Sequence, residues 1–291
     1  MRTDTHQHFL SRSLFRYDWT KGIPALQGDF LPETRQPLLE QACIDKVIAV
    51  QAVEAVAETE WLLQQADVFP WLAGVVGWAD FTDAGVAEVL GRLGKHPKLK
   101  GWRMVLQDQK PDFLLQPALA QGINLLAGTP KVFELLIKPP QLAAACKLVQ
   151  ACPDVNFVLD HLAKPQLWEG EVAALAEWDS GFRALVAESN VLAVKVSGLM
   201  TEAMNALEPM SEVDLLSPDM YEPYIGVALN AAAARRLLIG TDFPVCGMAG
   251  NNAMARWIEI VETCMQRLTV EGQEWDLIRR LNAERIYNLG A

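Results

Sequence analysis

The sequence predicts a single α/β domain, a closed (β/α)₈ TIM barrel over residues 1–291. Eight short runs rich in Val, Ile and Leu recur along the chain, as is typical of parallel strands covered on both faces. Helical patterns separate them, and strict alternation of strand and helix indicates a parallel α/β fold. Eight such units in 291 residues fit a barrel. The predicted strands lie within residues 3–8, 46–51, 71–78, 99–106, 132–137, 156–162, 191–198 and 236–243.

Between these runs, apolar residues recur at three- and four-residue spacing, as in an amphipathic helix. This pattern predicts helices within residues 32–43, 58–69, 83–96 and 139–152. An open doubly wound sheet is the alternative, but HQHFLSRS after the first run is not the Gly-rich loop that such sheets usually carry there. The segments 9–31 and 199–224 are longer than a barrel needs. Both follow strand ends, so we expect them to overhang the mouth of the barrel.

Charge and composition argue against several classes of partner. The formal net charge is −11 and the basic residues are scattered, whereas nucleic-acid binding needs a basic stripe. No apolar run of about 18 residues predicts a membrane span, and nothing resembles a signal peptide. The five cysteines are odd in number and show no CxxC spacing. They predict reduced thiols in a cytoplasmic protein.

Two of the four histidines, His6 and His8, lie together in the first predicted strand. Residues i and i+2 of a strand point the same way, so both imidazoles should face the top of the barrel interior. A buried pair of histidines without partners would be costly. The pair therefore predicts either a shared metal ion or joint binding of an anionic substrate.

Two further strand ends supply chemical groups. His161 ends the sixth run, with Asp160 beside it expected to point away, and Asp242 ends the eighth run. Because a barrel closes, the top of strand eight lies beside strand one, and Asp242 should stand next to the two histidines. There a carboxylate can take a proton from water or bind a metal ion. The fourth histidine, His96, falls in a helix-to-strand turn and is predicted to lie on the surface at the opposite end.

Arg103 interrupts the fourth apolar run. An arginine in a barrel strand needs a partner, which is either an oxygen atom of the substrate or a structural ion pair. Gln51, Trp78 and Trp102 also lie at strand ends and are candidate pocket residues. A GxSxG elbow, a P-loop and a dinucleotide fingerprint are all absent from the sequence.

These motifs in this order resemble the amidohydrolase-2 family of the amidohydrolase superfamily. The nearest resemblance is to its sugar-acid lactonase and pyrone-dicarboxylate-lactonase branch. The resemblance covers essentially the whole chain, from DTHQHF and VQAVEAVAETEWLL to the closing NAERIYNLG. The intervening matches are GVVGWADF, LKGWRMVLQ, FVLDHLAKP, VKVSGL and GTDFPV.

The resemblance implies hydrolysis of a lactone by an activated water, with Asp242 as the general base. Arg103 would hold the oxygen atoms of the substrate, and His161 would bind metal or substrate. The strand-four and strand-five residues typical of two-metal members are missing, so a two-metal site is not expected. What remains is one divalent ion, first of all Zn²⁺, on His6, His8 and Asp242 with His161, or a metal-free site. GWRM also replaces the more usual Gly-Ile-Arg-His, so the substrate contacts of that histidine do not carry over to this chain.

Two competing functions follow from the same residues. One is a metal-dependent decarboxylase of the same superfamily, which would need a well-filled metal site. The other is a barrel that binds a sugar acid without turning it over. Exposed apolar helices further suggest a homodimer as a hypothesis.

Overall fold

Eight parallel strands form one sheet in sequence order, β1 to β8, in the computed structural model. The structure describes residues 1–167, 172–204, 211–250 and 252–290. Every predicted run contains one of the strands, which therefore occur where the sequence analysis placed them. The strands are β1 (Thr3–Gln7), β2 (Lys46–Val50), β3 (Leu72–Gly77), β4 (Leu99–Met104), β5 (Val132–Leu135), β6 (Asn156–Leu159), β7 (Val191–Val196) and β8 (Leu237–Ile239).

The two outer strands of this order, β1 and β8, meet and close the barrel. The Thr5 hydroxyl donates to the Ile239 carbonyl at 2.8 Å. Above it, the Asp242 N–H donates to the His6 carbonyl at 2.8 Å, and the His8 N–H donates to the Phe243 carbonyl at 2.7 Å. The predicted (β/α)₈ barrel is thereby confirmed, and closure brings the end of β8 against the end of β1.

Helices follow the strands and cover the barrel. The predicted segment 32–43 is a 3₁₀ turn followed by a short helix, and 139–152 likewise begins with a 3₁₀ turn at its prolines. No helix among the described residues is both long and apolar enough to cross a membrane. The α-helices are α1 (Gln36–Gln41), α2 (Val56–Val68), α3 (Val86–Leu93), α4 (Pro117–Asn124), α5 (Leu142–Ala151), α6 (Val172–Ala187), α7 (Leu199–Met204), α8 (Glu212–Leu215), α9 (Pro218–Ala232), α10 (Ala253–Arg267), α11 (Gly272–Asp276) and α12 (Asn282–Ile286).

Strand residues alternate between two apolar layers. Ile48 and Val50 belong to an inner cluster with Tyr287 from the C-terminal segment, whereas Val47 and Ala49 belong to the outer core shared with the helices. This alternation is the period of two expected of a strand. Lys100, near the start of β4, donates to the Asn288 carbonyl at 2.8 Å. The C-terminal segment therefore covers the end of the barrel opposite to the strand ends that carry His8 and Asp242.

The long segment 9–31 folds over β1 with two 3₁₀ turns and pairs Leu10 with Phe30. Its Trp19 indole N–H donates to the Ala52 carbonyl, just after β2, at 2.7 Å. The second long segment contains α7, α8 and the start of α9, while residues 205–210 within it lie outside the described part of the chain. Both segments follow strand ends, as the sequence predicts.

Glu58 supports the loop after β2 from the first turn of α2. Its carboxylate accepts hydrogen bonds from the backbone N–H groups of Ala52 and Val53 at 2.8 and 2.9 Å. Burial raises the pKa of Glu58 to about 7, and these two hydrogen bonds only partly oppose that rise. The folded protein therefore retains a proton that the unfolded chain loses above its ordinary pKa of 4.5.

We expect Glu58 to make the protein less stable as pH rises from about 4.5 to about 7, because the folded state binds more protons over that interval. Glu58→Gln cannot ionise, so between pH 5 and pH 8 the variant should gain about 2 kcal/mol in free energy of unfolding relative to wild type. Urea unfolding at the two pH values measures this change. The exposed Glu88→Gln is the matched control. A Glu58→Gln difference that does not vary with pH would contradict the expectation.

Candidate active site

Five of the residues singled out from the sequence converge at the carboxyl ends of the strands. His6 lies in β1 and His8 just beyond it, Arg103 lies in β4, His161 follows β6 and Asp242 follows β8. None of the five is more than 5% exposed. The fold therefore brings together three imidazoles, a guanidinium and a carboxylate from four separate strand ends.

His6 is the centre of this group. Its ring lies 5.0 Å from that of His8 and 4.5 Å from that of His161, measured between centroids. Its Nε2 is 3.6 Å from Asp242 Oδ1 and 3.2 Å from the Arg103 guanidinium. Burial lowers the pKa of His6 well below its ordinary value, and the neighbouring Lys195 lowers it further. The ring is therefore neutral and has one nitrogen that can accept or ligate.

Hydrogen bonds set the orientation of the other two imidazoles. His8 Nδ1 lies 2.9 Å from the Val50 carbonyl, which accepts only, so Nδ1 donates there and Nε2 faces Asp242. His161 Nδ1 pairs with the Ser197 hydroxyl at 2.8 Å and leaves Nε2 available. Burial lowers the pKa of His161 to about 4. Both rings thus present one nitrogen to the site.

Asp242 faces the histidines from the β8 side, with Oδ1 3.3 Å from His8 Nε2. It has a φ of 58°, in the left-handed region that costs free energy for a residue other than glycine. Burial by itself would raise the pKa of Asp242, but the electrostatic effect of His161 and the hydrogen bond to His8 outweigh it and hold the pKa below its ordinary range. The carboxylate therefore stays charged at neutral pH.

His6, His161 and Asp242 form a group that can hold a divalent metal ion, since their ligand atoms lie within 4.8 Å of one another. Imidazole nitrogen and carboxylate oxygen are ligands that zinc accepts, and three protein ligands are the usual number in catalytic zinc sites. The second nitrogen of His161 is already fixed by Ser197, as outer-shell partners of metal-binding histidines usually are. These residues fit a divalent metal. His8 does not belong to this group, and the described polar contacts of its ring are with the Val50 carbonyl and Asp242.

The Arg103 side chain is held by groups of the protein. Its guanidinium donates to the Gln51 carbonyl at 2.7 Å and to Asp160 Oδ2 at 3.2 Å. Of the two partners considered from the sequence, the structural ion pair is therefore present. Contact between Arg103 and a substrate is a proposal, and its Nε has no hydrogen-bond partner within the described residues.

Asp160 corrects one expectation, because its side chain points into the barrel. It continues the inward alternation of Val158, and its Oδ1 lies 3.5 Å from His6 Nδ1. His161 also faces the site because the chain turns there into the left-handed region, with a φ of 51°. In a regular strand, either Asp160 or His161 would point outward. The turn after β6 ends the alternation, so both side chains face the site.

The structure does not bring Trp102 to the site. Its side chain is 1% exposed and lies in the outer core, with the ring of Phe81 6.3 Å away, because Trp102 alternates with the inward Arg103. Gln51 contributes its carbonyl oxygen, while its fully buried amide makes no hydrogen bond within the described residues. The backbone N–H of Trp78 donates to the Thr59 hydroxyl at 2.8 Å, in the neighbouring β3 loop.

Lys195 and Glu134 were not singled out from the sequence, yet both lie under His6 and are fully buried. Lys195 Nζ is 2.6 Å from Glu134 Oε2 and 3.2 Å from His6 Nδ1. The Tyr287 hydroxyl donates to the other oxygen of Glu134 at 2.5 Å. Lys195 interrupts the apolar run VLAVKVSG, and Glu134 interrupts VFELLI. A charged residue within an apolar run is the same feature that singled out Arg103.

Asp4 is a further residue that the sequence analysis did not select. Its carboxylate accepts four hydrogen bonds, from the backbone N–H groups of His6 and Thr241 and from the side chains of Thr241 and Gln7. Burial raises the pKa of Asp4, and these hydrogen bonds oppose that rise. Asp4 thereby ties β1 to the residue preceding Asp242.

The mouth of the site is bordered by Trp19 from the segment 9–31. The Trp19 ring lies 6.5 Å from that of His8, and the residue is 42% exposed. This position supports the expectation that the segment overhangs the strand ends.

Comparison with known proteins adds to this geometry. A family model described as amidohydrolase, Amidohydro_2, matches residues 3–289. The chain belongs to the amidohydrolase family. The family resemblance inferred from the motifs is therefore confirmed.

Among curated amidohydrolase relatives, two L-fucono-1,5-lactonases are similar over most of their length. The protein from Burkholderia ambifaria is 31% identical, with 91% of this chain and 88% of that protein aligned. The protein from Burkholderia multivorans is 32% identical, with 94% of this chain and 93% of that protein aligned.

A crystal structure of an amidohydrolase from Burkholderia multivorans with bound zinc superposes with a TM-score of 0.88 at 31% identity, covering 100% of both chains. A 5-carboxyvanillate decarboxylase from Sphingomonas paucimobilis reaches a TM-score of 0.68 at 12% identity. At that identity the decarboxylase shares the fold alone.

Proposed function

We propose that this amidohydrolase opens a lactone, first of all a sugar-acid lactone, by attack of an activated water molecule. The observation that carries the proposal is the Asp242 carboxylate, which is charged at neutral pH and lies beside three histidines at the mouth of the barrel. The two lactonase relatives, each matched over more than four fifths of its length, support this substrate class. A muconolactone or pyrone is the other lactone type expected from the sequence.

In the proposed reaction the water oxygen bonds to the ring carbonyl carbon while Asp242 accepts a proton from that water. The ring C–O bond then breaks, and the alkoxide leaving group takes the proton back. The product is a hydroxy acid, which releases one proton at neutral pH. Because the low pKa of Asp242 makes it a weak base, much of the rate must come from stabilising the developing oxyanion. Arg103 supplies positive charge for that purpose, and its Nε–H, which has no hydrogen-bond acceptor within the described residues, can donate to the oxyanion.

We propose that His6, His161 and Asp242 would hold a single divalent ion, with zinc as the first choice. A zinc-bound structure with a TM-score of 0.88 supports zinc. When bound, such an ion polarises a carbonyl and lowers the pKa of its water towards about 7. His8 would then orient Asp242 rather than complete the ligand set, because the described polar contacts of its ring are with Asp242 and the Val50 carbonyl.

The test is proton release from a panel of sugar-acid lactones and muconolactones, followed with a pH indicator. Each lactone opened at neutral pH yields an acid, so one assay covers the class. We expect saturable release with at least one sugar-acid lactone. The purified Asp242→Asn variant controls for spontaneous opening. If no lactone of the panel gave proton release with Zn²⁺ supplied, the proposal would be overturned. CO₂ release from aromatic acids would favour the decarboxylase. Tight binding of a sugar acid without product would favour a binding barrel.

The cellular compartment, metabolic role and oligomeric state of the enzyme are part of the same proposal. Five free cysteines, none of them in a disulfide, fit a reducing compartment and support placement in the cytoplasm. A role in carbohydrate catabolism follows from a sugar-acid substrate. A homodimer remains a hypothesis that light scattering can dismiss by finding a monomer.

A further inference from the structure

A second group of potential metal ligands lies below the first. His6, Glu134 and Asp160 have ligand atoms within 4.8 Å of one another, and all three residues are fully buried. Two carboxylates and an imidazole are suited to a divalent cation. Asp160 Oδ1 is buried yet has no hydrogen bond of ordinary geometry within the described residues.

The ammonium group of Lys195 lies among these three side chains. Its Nζ is 2.6 Å from Glu134 Oε2, 3.1 Å from Asp160 Oδ1 and 3.2 Å from His6 Nδ1. Lys195 is itself fully buried. Because buried carboxylates need a compensating charge, this ammonium is the cation of the second group.

The two carboxylates are also fixed from their far sides. The Tyr287 hydroxyl donates to Glu134 Oε1 at 2.5 Å, and Arg103 donates to Asp160 Oδ2 at 3.2 Å. Each carboxylate therefore keeps its other oxygen towards Nζ independently of the Lys195 side chain. A ligand set that is held without the lysine would remain after the lysine is shortened.

We propose that Lys195 is a built-in cation at a second metal position, and that truncating its side chain converts this position into a binding site for a second divalent ion. The wild-type protein then binds at most one divalent ion, on His6 Nε2, His161 and Asp242, while the ammonium fills the position on the His6 Nδ1 side. This inference goes beyond the proposed lactonase activity and is tested without any substrate.

The experiment compares wild type, Lys195→Ala and Lys195→Met. Each protein is purified with Mn²⁺ or Zn²⁺ present and then freed of loosely bound metal. Elemental mass spectrometry then gives the number of metal ions per chain. Lys195→Ala removes the charge and opens space, and should bind one ion more than wild type, on Glu134, Asp160 and His6. His6 then releases its remaining ring proton to solvent and bridges the two ions as an imidazolate. Lys195→Met removes the charge but fills the space, and should bind no more than wild type. The thermal midpoint of Lys195→Ala should also rise with metal by more than that of Lys195→Met.

Three outcomes would overturn the proposal. One is two ions per chain in wild type, since the ammonium would then not occupy the position. Another is a folded Lys195→Ala variant with no additional ion. The third is a Lys195→Ala variant that fails to fold even with metal present, because the metal would then not replace the ammonium. Lactone opening by wild type is unaffected by any of these results, so failure here is separate from failure of the proposed function.

Discussion

Asp242→Asn is expected to lower kcat for lactone opening by about 10³-fold, because the amide cannot accept the proton of the attacking water and general base catalysis is worth about 10² to 10⁴. The amide has nearly the same shape as the carboxylate, so the barrel should fold as in wild type. Its oxygen can still lie beside His8 Nε2, where Asp242 Oδ1 is 3.3 Å away. The change should therefore fall mainly on kcat and less on KM. Steady-state kinetics with the best lactone from the panel measures both constants.

A matched control is Asp83→Asn. Asp83 accepts a hydrogen bond from the Gly85 N–H in an exposed turn before α3, so kcat should stay within about 2-fold of wild type. If Asp242→Asn retained kcat within about 10-fold of wild type, Asp242 would not be the base. A metal count on both proteins separates loss of a proton acceptor from loss of an ion.

Asp4→Asn is expected to lower the free energy of unfolding by about 3 kcal/mol, the cost of leaving about two buried donors unpaired. Each carboxylate oxygen of Asp4 accepts two hydrogen bonds, from His6 N and Thr241 N on one side and from Gln7 Nε2 and the Thr241 hydroxyl on the other. An amide offers only one oxygen, and its NH₂ group would face two donors. Urea unfolding with a fixed slope measures the loss.

Asp4→Asn should also lower kcat, because Asp4 holds the backbone on both sides of the junction where His6 meets Asp242. Asp67→Asn is the control, since Asp67 forms a surface pair with His96, and this change should alter the free energy of unfolding by less than about 0.5 kcal/mol. A stability loss with unchanged kcat would make Asp4 a structural residue alone. Unchanged stability would contradict the whole account of the four hydrogen bonds.

The barrel could be predicted because its strands are local features of the sequence. Runs such as KVIAVQ and VLAVKVSG are buried on both faces, and a strand of four to six residues needs nothing else to be recognised. The main departures are at boundaries, as in α1, where a 3₁₀ turn takes the first part of the predicted helix. Such ends depend on hydrogen bonds that only the assembled chain supplies.

The site could be predicted only as far as strand ends can be located. His6, His8 and Asp242 were expected together because a closed barrel places β8 beside β1, and the structure brings them together. Trp102 was selected by the same reasoning and lies in the outer core, because its neighbour Arg103 takes the inward direction. Which of two adjacent residues faces inward depends on strand phase, and the sequence analysis did not resolve this phase for β4.

The sequence by itself determined the parallel α/β architecture, the family and the residues that meet at the top of the barrel. These features could be identified because apolar runs and the side chains that end them follow one another along the chain. Tertiary structure alone decided the inward turn of Asp160, the burial of Lys195 between Glu134 and Asp160, and the four hydrogen bonds of Asp4. These contacts join residues that are up to 237 positions apart. The direction of a side chain at a strand end depends on the left-handed turns and neighbouring strands around it. The pattern of apolar and polar residues along the chain contains no information about either.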